Sequence, residues 1–175
     1  MQIAYTCAEE LIEGNFGVRI FIIALAVAFG LSTAACGRAK PGASEAKTGA
    51  SEWTSDYKKA QQEAKADHKL VLLNFTGSDW CGYCFQFDRA ILSQPQFKDY
   101  ANKNLILVEV DFPRRKALSV ETQKQNQELA AKYEVEGFPT VVLLNGDGKT
   151  LWRYDALYTG GVAAFLAELD KARKG

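Results

Sequence analysis

The chain has 175 residues with 21 basic and 21 acidic side chains, so its formal net charge is zero. This length is typical of one folded domain, and a hydrophobic content of 47% is enough to build a core. A balanced charge without a dense basic cluster argues against nucleic acid as a partner.

The N-terminal segment, residues 1–36, has the composition of an export signal. Arg19 precedes an almost unbroken apolar run over residues 20–31, and small residues follow this run as far as Cys36. This layout is typical of a signal peptide. An uncleaved membrane anchor is the alternative, because the run reaches the ~20 apolar residues of a membrane span only if the small residues are included. We therefore expect an exported protein, either periplasmic or anchored in a membrane and facing the periplasm or the outside.

The two ends of this leader lead to further predictions. Residues 1–17 contain three glutamates where a signal peptide should be positively charged, which suggests that they are not translated and that synthesis begins at Val18. Cys36 follows small residues in a pattern similar to the lipobox of bacterial lipoproteins, so it is a candidate for lipidation, with simple cleavage as the alternative. Residues 37–51 are rich in Gly, Ala, Ser and Lys without a large apolar residue, which predicts a flexible linker.

Helix and strand patterns alternate over residues 52–175, the predicted domain. In chain order they predict a helix over 55–67, a strand over 70–75, a helix over 81 to about 92, a strand over 105–110, a helix over 119–133, strands over 140–144 and 151–154, and a helix over 162–172. Strands that alternate with helices favour parallel pairing. The Asn-Gly-Asp-Gly turn at 145–148 adds an antiparallel hairpin. The predicted class is α/β, with a mixed central sheet and helices on both faces.

Two cysteines at the start of the second predicted helix, Cys81 and Cys84, carry the chemistry. With two residues between them they can close into a disulfide, and the N–H groups of the helix start stabilise a thiolate on the first of them. Cys81 is the expected nucleophile and Cys84 the resolving thiol, and this chemistry needs no metal or organic cofactor. Two alternatives are half of a zinc site, for which only His68 remains as a further ligand, and a purely structural disulfide.

Three segments together resemble the thioredoxin superfamily. They are the strand at 71–75, the sequence Trp-Cys-Gly-Tyr-Cys at 80–84, and the sequence Gly-Phe-Pro-Thr at 137–140. The resemblance covers the predicted domain and implies a thioredoxin-like fold. It also implies a thiol:disulfide oxidoreductase acting on exported proteins, of a reductase or isomerase type. In this family the proline is cis and lies against the active-site disulfide, so Pro139 is expected there, and Phe138 is expected to offer its backbone to an extended substrate.

The chain departs from thioredoxin beside the cysteines. Asn74 stands where thioredoxin carries a buried aspartate, and an amide cannot take a proton from the resolving thiol. Asp79 is a candidate substitute, with a solvated loop acid or a helix cap as the more ordinary interpretation. The pair Gly82-Tyr83 also occurs in periplasmic disulfide isomerases, whose separate dimerisation domain has no room in this chain. We therefore expect a monomer.

An apolar rim of Trp80, Tyr83 and Phe138 is predicted around Cys81 and would suit unfolded or extended polypeptide, with packing as the alternative for each side chain. The basic run at 114–116 is predicted to be a solvated loop. The expected partners are proteins with disulfides or thiols and an unidentified redox partner, for which a membrane protein is one candidate. The competing function is a tethered binding module with a passive disulfide.

Overall fold

Four strands and five α-helices make up the described part of the chain, residues 52–175 of the computed structural model. The predicted leader, its Cys36 and the linker lie outside these residues. The elements in chain order are α1 (Tyr57–Ala66), β1 (Leu70–Thr76), α2 (Gly82–Phe87), a π-helical segment (Asp88–Leu92), α3 (Pro95–Asn104), β2 (Leu105–Asp111), α4 (Val120–Lys132), β3 (Thr140–Leu144), β4 (Thr150–Asp155) and α5 (Gly161–Lys174).

The helix starts follow from side chains that accept the first free N–H groups. Asp56 caps α1 by accepting the Lys59 N–H at 2.9 Å, and Ser119 caps α4 by accepting the Thr122 N–H at 3.1 Å. Both helices therefore begin within two residues of the predicted positions.

The strands form one mixed sheet in the order β2-β1-β3-β4. The pair β1 and β2 is parallel, as the alternation with helices predicts, whereas β3 runs antiparallel to both β1 and β4. This direction of β3 follows from where the chain returns. Thr140 at the start of β3 pairs with Phe75, at the same edge where Asp111 ends β2 opposite Thr76. The edge at which β1 ends therefore also carries the residues just before β3.

Helices cover both faces of this sheet, as predicted. Successive side chains of a strand point to opposite faces, so the apolar residues of β1 need a helix layer on each side. Leu72 of β1 packs with Phe87, Phe97 and Phe165 on the side of α2, α3 and α5. The neighbours of Leu72 in β1 pack on the other side with residues of α1 and α4; they are Val71 and Leu73. Each face thus has its own apolar core, and α2 is held over one of them.

The predicted helix at 81–92 is a short α-helix that continues as a π-helical segment, and the sequence patterns did not identify α3. Only Phe97 and Ala101 of α3 are buried, so its apolar pattern is weak. Pro95 stands at the first position of α3, where proline is tolerated because the missing N–H has no partner within the helix. That proline is the sequence signal that would have separated α3 from the helix before it.

Candidate active site

Cys81 and Cys84 lie at the N-terminus of α2 and are joined in a disulfide. Cys81 is the N-cap residue, and its Sγ accepts the backbone N–H of Cys84 at 3.2 Å. This N–H would equally stabilise a thiolate on Cys81 in the reduced pair. Each cysteine is only 5% exposed, so the two residues are equally buried in the disulfide form.

The zinc alternative fails on the position of His68. This histidine lies just before β1, and the cysteines come after it. The strand has seven residues, which span roughly 20 Å, so His68 lies at the opposite edge of the sheet from the sulfurs. Among residues 52–175, no three His, Cys, Asp or Glu side chains are grouped so that they could hold a metal ion.

The segment before β3 faces the disulfide. The Phe138–Pro139 peptide bond is cis, which is the geometry that the resemblance implies. Pro139 is buried, and the carbonyl oxygen of Phe138 lies 3.8 Å from Cys81 Sγ. The backbone of Phe138 is thus beside the sulfur that is expected to react.

Trp80 and Phe138 form one aromatic cluster beside Cys81. Their rings meet edge to face with centroids 6.0 Å apart, and Phe138 stacks on Phe112 at 5.1 Å. The indole Nε1 of Trp80 donates to the carbonyl oxygen of Phe112 at 2.8 Å, which fixes the orientation of the ring. Tyr83 is 63% exposed and contributes a separate apolar surface on α2. No sequence pattern marks Phe112 as part of this cluster, because it lies 32 positions after Trp80 in the chain.

Asp79 does not replace the missing buried acid, because its carboxylate binds a neighbouring loop. It accepts the backbone N–H groups of Arg114 at 2.9 Å, Arg115 at 2.7 Å and Lys116 at 3.3 Å. The hydrogen bond from the Arg114 amide is the largest cause that holds the pKa of Asp79 below its ordinary value, and the Arg115 and Lys116 amides act in the same direction. Asp79 is therefore a loop acid, and it anchors the basic run instead of standing free in solvent.

Replacing Asp79 by Asn is expected to destabilise the protein at neutral pH, because the amide keeps only one acceptor oxygen and no charge. A carboxyl whose pKa is lowered by folding stabilises the folded state above its ordinary pKa of 3.8, and this contribution is lost as the pH falls further. The urea midpoint of Asp79→Asn should therefore lie below the wild-type midpoint at pH 7 and approach it below pH 3.8.

The matched control for this prediction is Asp147→Asn, which removes an exposed ion pair with Lys65 and should change the midpoint little. Equal urea midpoints for wild type and Asp79→Asn at pH 7 would show that the loop does not depend on this carboxylate.

A second carboxyl, Glu109 on β2, lies beside Asn74 in the parallel register. Burial is the largest cause that raises the pKa of Glu109, and the charge of Asp111 raises it further. Within residues 52–175, the Oδ1 atom of Asn74 is buried without a hydrogen-bond partner. Asn74 stands where thioredoxin carries a buried aspartate, and the carboxyl of Glu109 on the adjacent strand lies beside this position.

Replacing Glu109 by Gln is expected to stabilise the protein at pH 7. A carboxyl whose pKa is raised by folding destabilises the folded state where it is ionised, and this cost disappears below its ordinary pKa of 4.5. Urea unfolding should give a higher midpoint for Glu109→Gln at pH 7 and no difference below pH 4.5. The exposed Glu168→Gln variant is the control. A lower midpoint for Glu109→Gln at pH 7 would contradict the effect of burial.

A mixed sheet with a disulfide at the start of a helix and a cis proline beside it defines a thioredoxin-type domain. Residues 57–173 match the family model described as a thioredoxin-like domain, and the chain belongs to this family. The family and the fold class that the sequence predicts are thereby confirmed.

Particular relatives narrow the class further. The chain is 42% identical over 123 residues to "Disulfide bond reductase DsbH" of Chlamydia pneumoniae, which covers 70% of this chain and 73% of that protein. It is 28% identical over 101 residues to "Thioredoxin-related protein DsbJ" of the same organism, covering 58% of this chain and 29% of DsbJ. Among solved structures, "DsbH Oxidoreductase" aligns with a TM-score of 0.67 at 40% identity, over 72% of this chain and 86% of that one. The chain is thus homologous to thiol:disulfide oxidoreductases, as predicted.

Proposed function

We propose that this protein is a thiol:disulfide oxidoreductase that reduces or reshuffles disulfides of exported proteins through Cys81 and Cys84. The observation that carries the proposal is the position of Cys81 Sγ, which accepts the N–H of Cys84 and lies 3.8 Å from the carbonyl oxygen of Phe138. The 42% identity to a protein named as a disulfide bond reductase supports the reductive direction.

The reaction begins from the reduced pair. The Cys81 thiolate attacks one sulfur of a client disulfide, so that a mixed disulfide forms and the other client sulfur leaves as a thiolate, which takes up a proton from water. Cys84 then loses its proton and attacks Cys81 Sγ. The bond between Cys81 and Cys84 closes, and the second client sulfur leaves as a thiolate and is protonated. Two electrons have passed to the client, and the disulfide seen here is the oxidised product state.

The surroundings of Cys81 suit a polypeptide client. Trp80 and Phe138 present an aromatic surface next to the sulfur, and Tyr83 adds an exposed ring on α2. The backbone of Phe138, beside buried Pro139, offers polar groups to an extended chain. These side chains are the proposed client contacts, and Pro139 shapes the backbone that presents them.

Export is part of the proposal. The apolar run before Cys36 supports a leader, and a lipid on Cys36 would tether the domain through the linker at 37–51. In the part of the chain that the structure describes, no helix is long and apolar enough to cross a membrane. Lipidation predicts incorporation of labelled palmitate into the protein in its own cell and none into Cys36→Ser. Equal label in both would exclude Cys36 as the lipidation site.

The direction of electron flow is tested by the reduction potential of the pair, measured by equilibration with glutathione and mass spectrometry of the trapped thiols. A potential near roughly −270 mV, the value of thioredoxin, would support a reductase. A potential near roughly −120 mV, the value of a strong oxidant, would contradict it.

A further inference from the structure

The basic run at 114–116 is not a uniform solvated loop, because its three side chains have different partners. The guanidinium of Arg115 donates to the backbone carbonyl oxygen of Asp79, and the ammonium of Lys116 lies 2.8 Å from the carboxylate of Asp111. The guanidinium carbon of Arg114 lies 3.8 Å from the centroid of the Trp80 ring. Over residues 52–175, the Arg114 side chain has no hydrogen bond to another residue and no carboxylate partner.

Both members of the Arg114 and Trp80 pair are held in place. The carboxylate of Asp79 accepts the backbone N–H of Arg114 at 2.9 Å, and the indole of Trp80 donates to Phe112 at 2.8 Å. A guanidinium over an indole face is a favourable cation–π arrangement that leaves the N–H donors at the edge of the group available. Little ordering is needed before these donors can bind an incoming group.

The guanidinium of Arg114 lies on the ring of Trp80, the residue next to the reacting Cys81. Trp80 precedes Cys81 in the chain and packs against Phe138, whose carbonyl oxygen lies 3.8 Å from Cys81 Sγ. Arg115 and Lys116 have partners in the Asp79 carbonyl oxygen and the Asp111 carboxylate, whereas the guanidinium of Arg114 faces no carboxylate among the described residues. A single available guanidinium suits a carboxylate, with which it can form two parallel hydrogen bonds.

We propose that Arg114, held on Trp80, is a specificity-determining residue that binds an acidic side chain next to the reactive cysteine of a partner protein. The ligand is a carboxylate on a polypeptide, because the neighbouring sulfur is the group that forms a mixed disulfide with polypeptide cysteines. This inference rests on the proposed function and adds a preference among its substrates. Arg114 acts by positioning the partner, and it takes no part in the thiol exchange.

The test compares two short peptides with the same internal disulfide, one with Glu and one with Gln next to a cysteine. The full-length protein, reduced beforehand, is mixed with each peptide. Each second-order rate constant is divided by the rate constant for reduction of the same peptide by dithiothreitol, which removes the difference in intrinsic reactivity between the two disulfides. Wild type is expected to prefer the Glu peptide. Arg114→Gln should reduce this preference by about twofold to fivefold, the range of an exposed ion pair. Added salt should reduce the wild-type preference in the same direction.

Matched variants distinguish the proposal from other roles of the charge. Arg173→Gln, the same change at the far end of α5, should keep the wild-type preference. Arg114→Lys should keep only part of it, because the charge remains but an ammonium cannot form the two parallel hydrogen bonds. An unchanged preference in Arg114→Gln overturns the proposal. An equal fall of the rate with both peptides also overturns it, since Arg114 would then act on Cys81 itself. If wild type reduces neither peptide, the proposed function is wrong, and the inference about Arg114 is wrong with it.

Discussion

Replacing Cys81 by Ser is expected to lower the rate of client reduction by at least about three orders of magnitude, because a serine hydroxyl is not ionised near neutral pH and forms no disulfide. Cys81 Sγ accepts the Cys84 N–H and lies beside the Phe138 carbonyl oxygen, and the variant leaves no sulfur at that position. The measurement is the rate at which the reduced protein opens a disulfide-bonded client, followed by gel shift of alkylated thiols.

The variant Cys84→Ser is the matched control for Cys81→Ser. It keeps the attacking sulfur and lacks the resolving one, so the mixed disulfide with the client should accumulate and be visible by mass spectrometry. A Cys81→Ser protein that still reduces its client would contradict the assignment of the nucleophile. A Cys81→Ser protein that binds its partners normally while wild type shows no exchange would favour the tethered binding module.

Replacing Phe165 by Ala is expected to lower the free energy of unfolding by about 3–5 kcal/mol, the usual cost of removing a buried phenylalanine. The ring of Phe165 is fully buried on α5 and lies 5.6 Å from Phe87, 5.6 Å from Trp152 and 5.2 Å from Tyr158, measured between ring centroids. A domain of this size has a stability of roughly 5–15 kcal/mol, so the loss is a large share of the total. Urea unfolding measures it directly.

The consequence for the active site comes through Phe87, which lies on α2 with Cys84. Loss of the Phe165 ring removes one wall of the core that holds α2, so the variant should also lose activity at a lower temperature than wild type. Phe85→Ala is the control on the same helix, because Phe85 is 42% exposed and its truncation should cost less than about 1 kcal/mol. Equal losses of stability in the two variants would contradict this account of the core.

The order of strands and helices could be predicted because each strand carries its own apolar pattern and the two capped helices begin at suitable polar residues. The weak pattern of α3, with Phe97 and Ala101 as its buried residues, was not enough to separate it from α2. The direction of β3 was not predictable from alternation alone. A helical connection is long enough for a parallel crossover, but it does not require one, and here Thr140 begins β3 at the edge where β1 ends.

The reactive groups of the site are close together in the sequence, and they could therefore be predicted from it. Cys81 and Cys84 are three positions apart, and a spacing this short brings both sulfurs together at the start of α2. The aromatic and charged surroundings were not local. Trp80 contacts Phe112, and Asp79 contacts Arg114, in each case across more than 30 positions of the chain. No short sequence pattern marks such a contact.

The sequence by itself determined the redox pair, the strand and helix types and the thioredoxin-like class, because these depend on neighbours along the chain. Only the tertiary structure decided that Arg114 lies on Trp80, that Asp79 anchors the loop at 114–116, and that Glu109 stands beside Asn74. The physical reason is that the parallel pairing of β1 with β2 brings their ends to one edge, and the residues that follow both strands meet there whatever their separation in sequence.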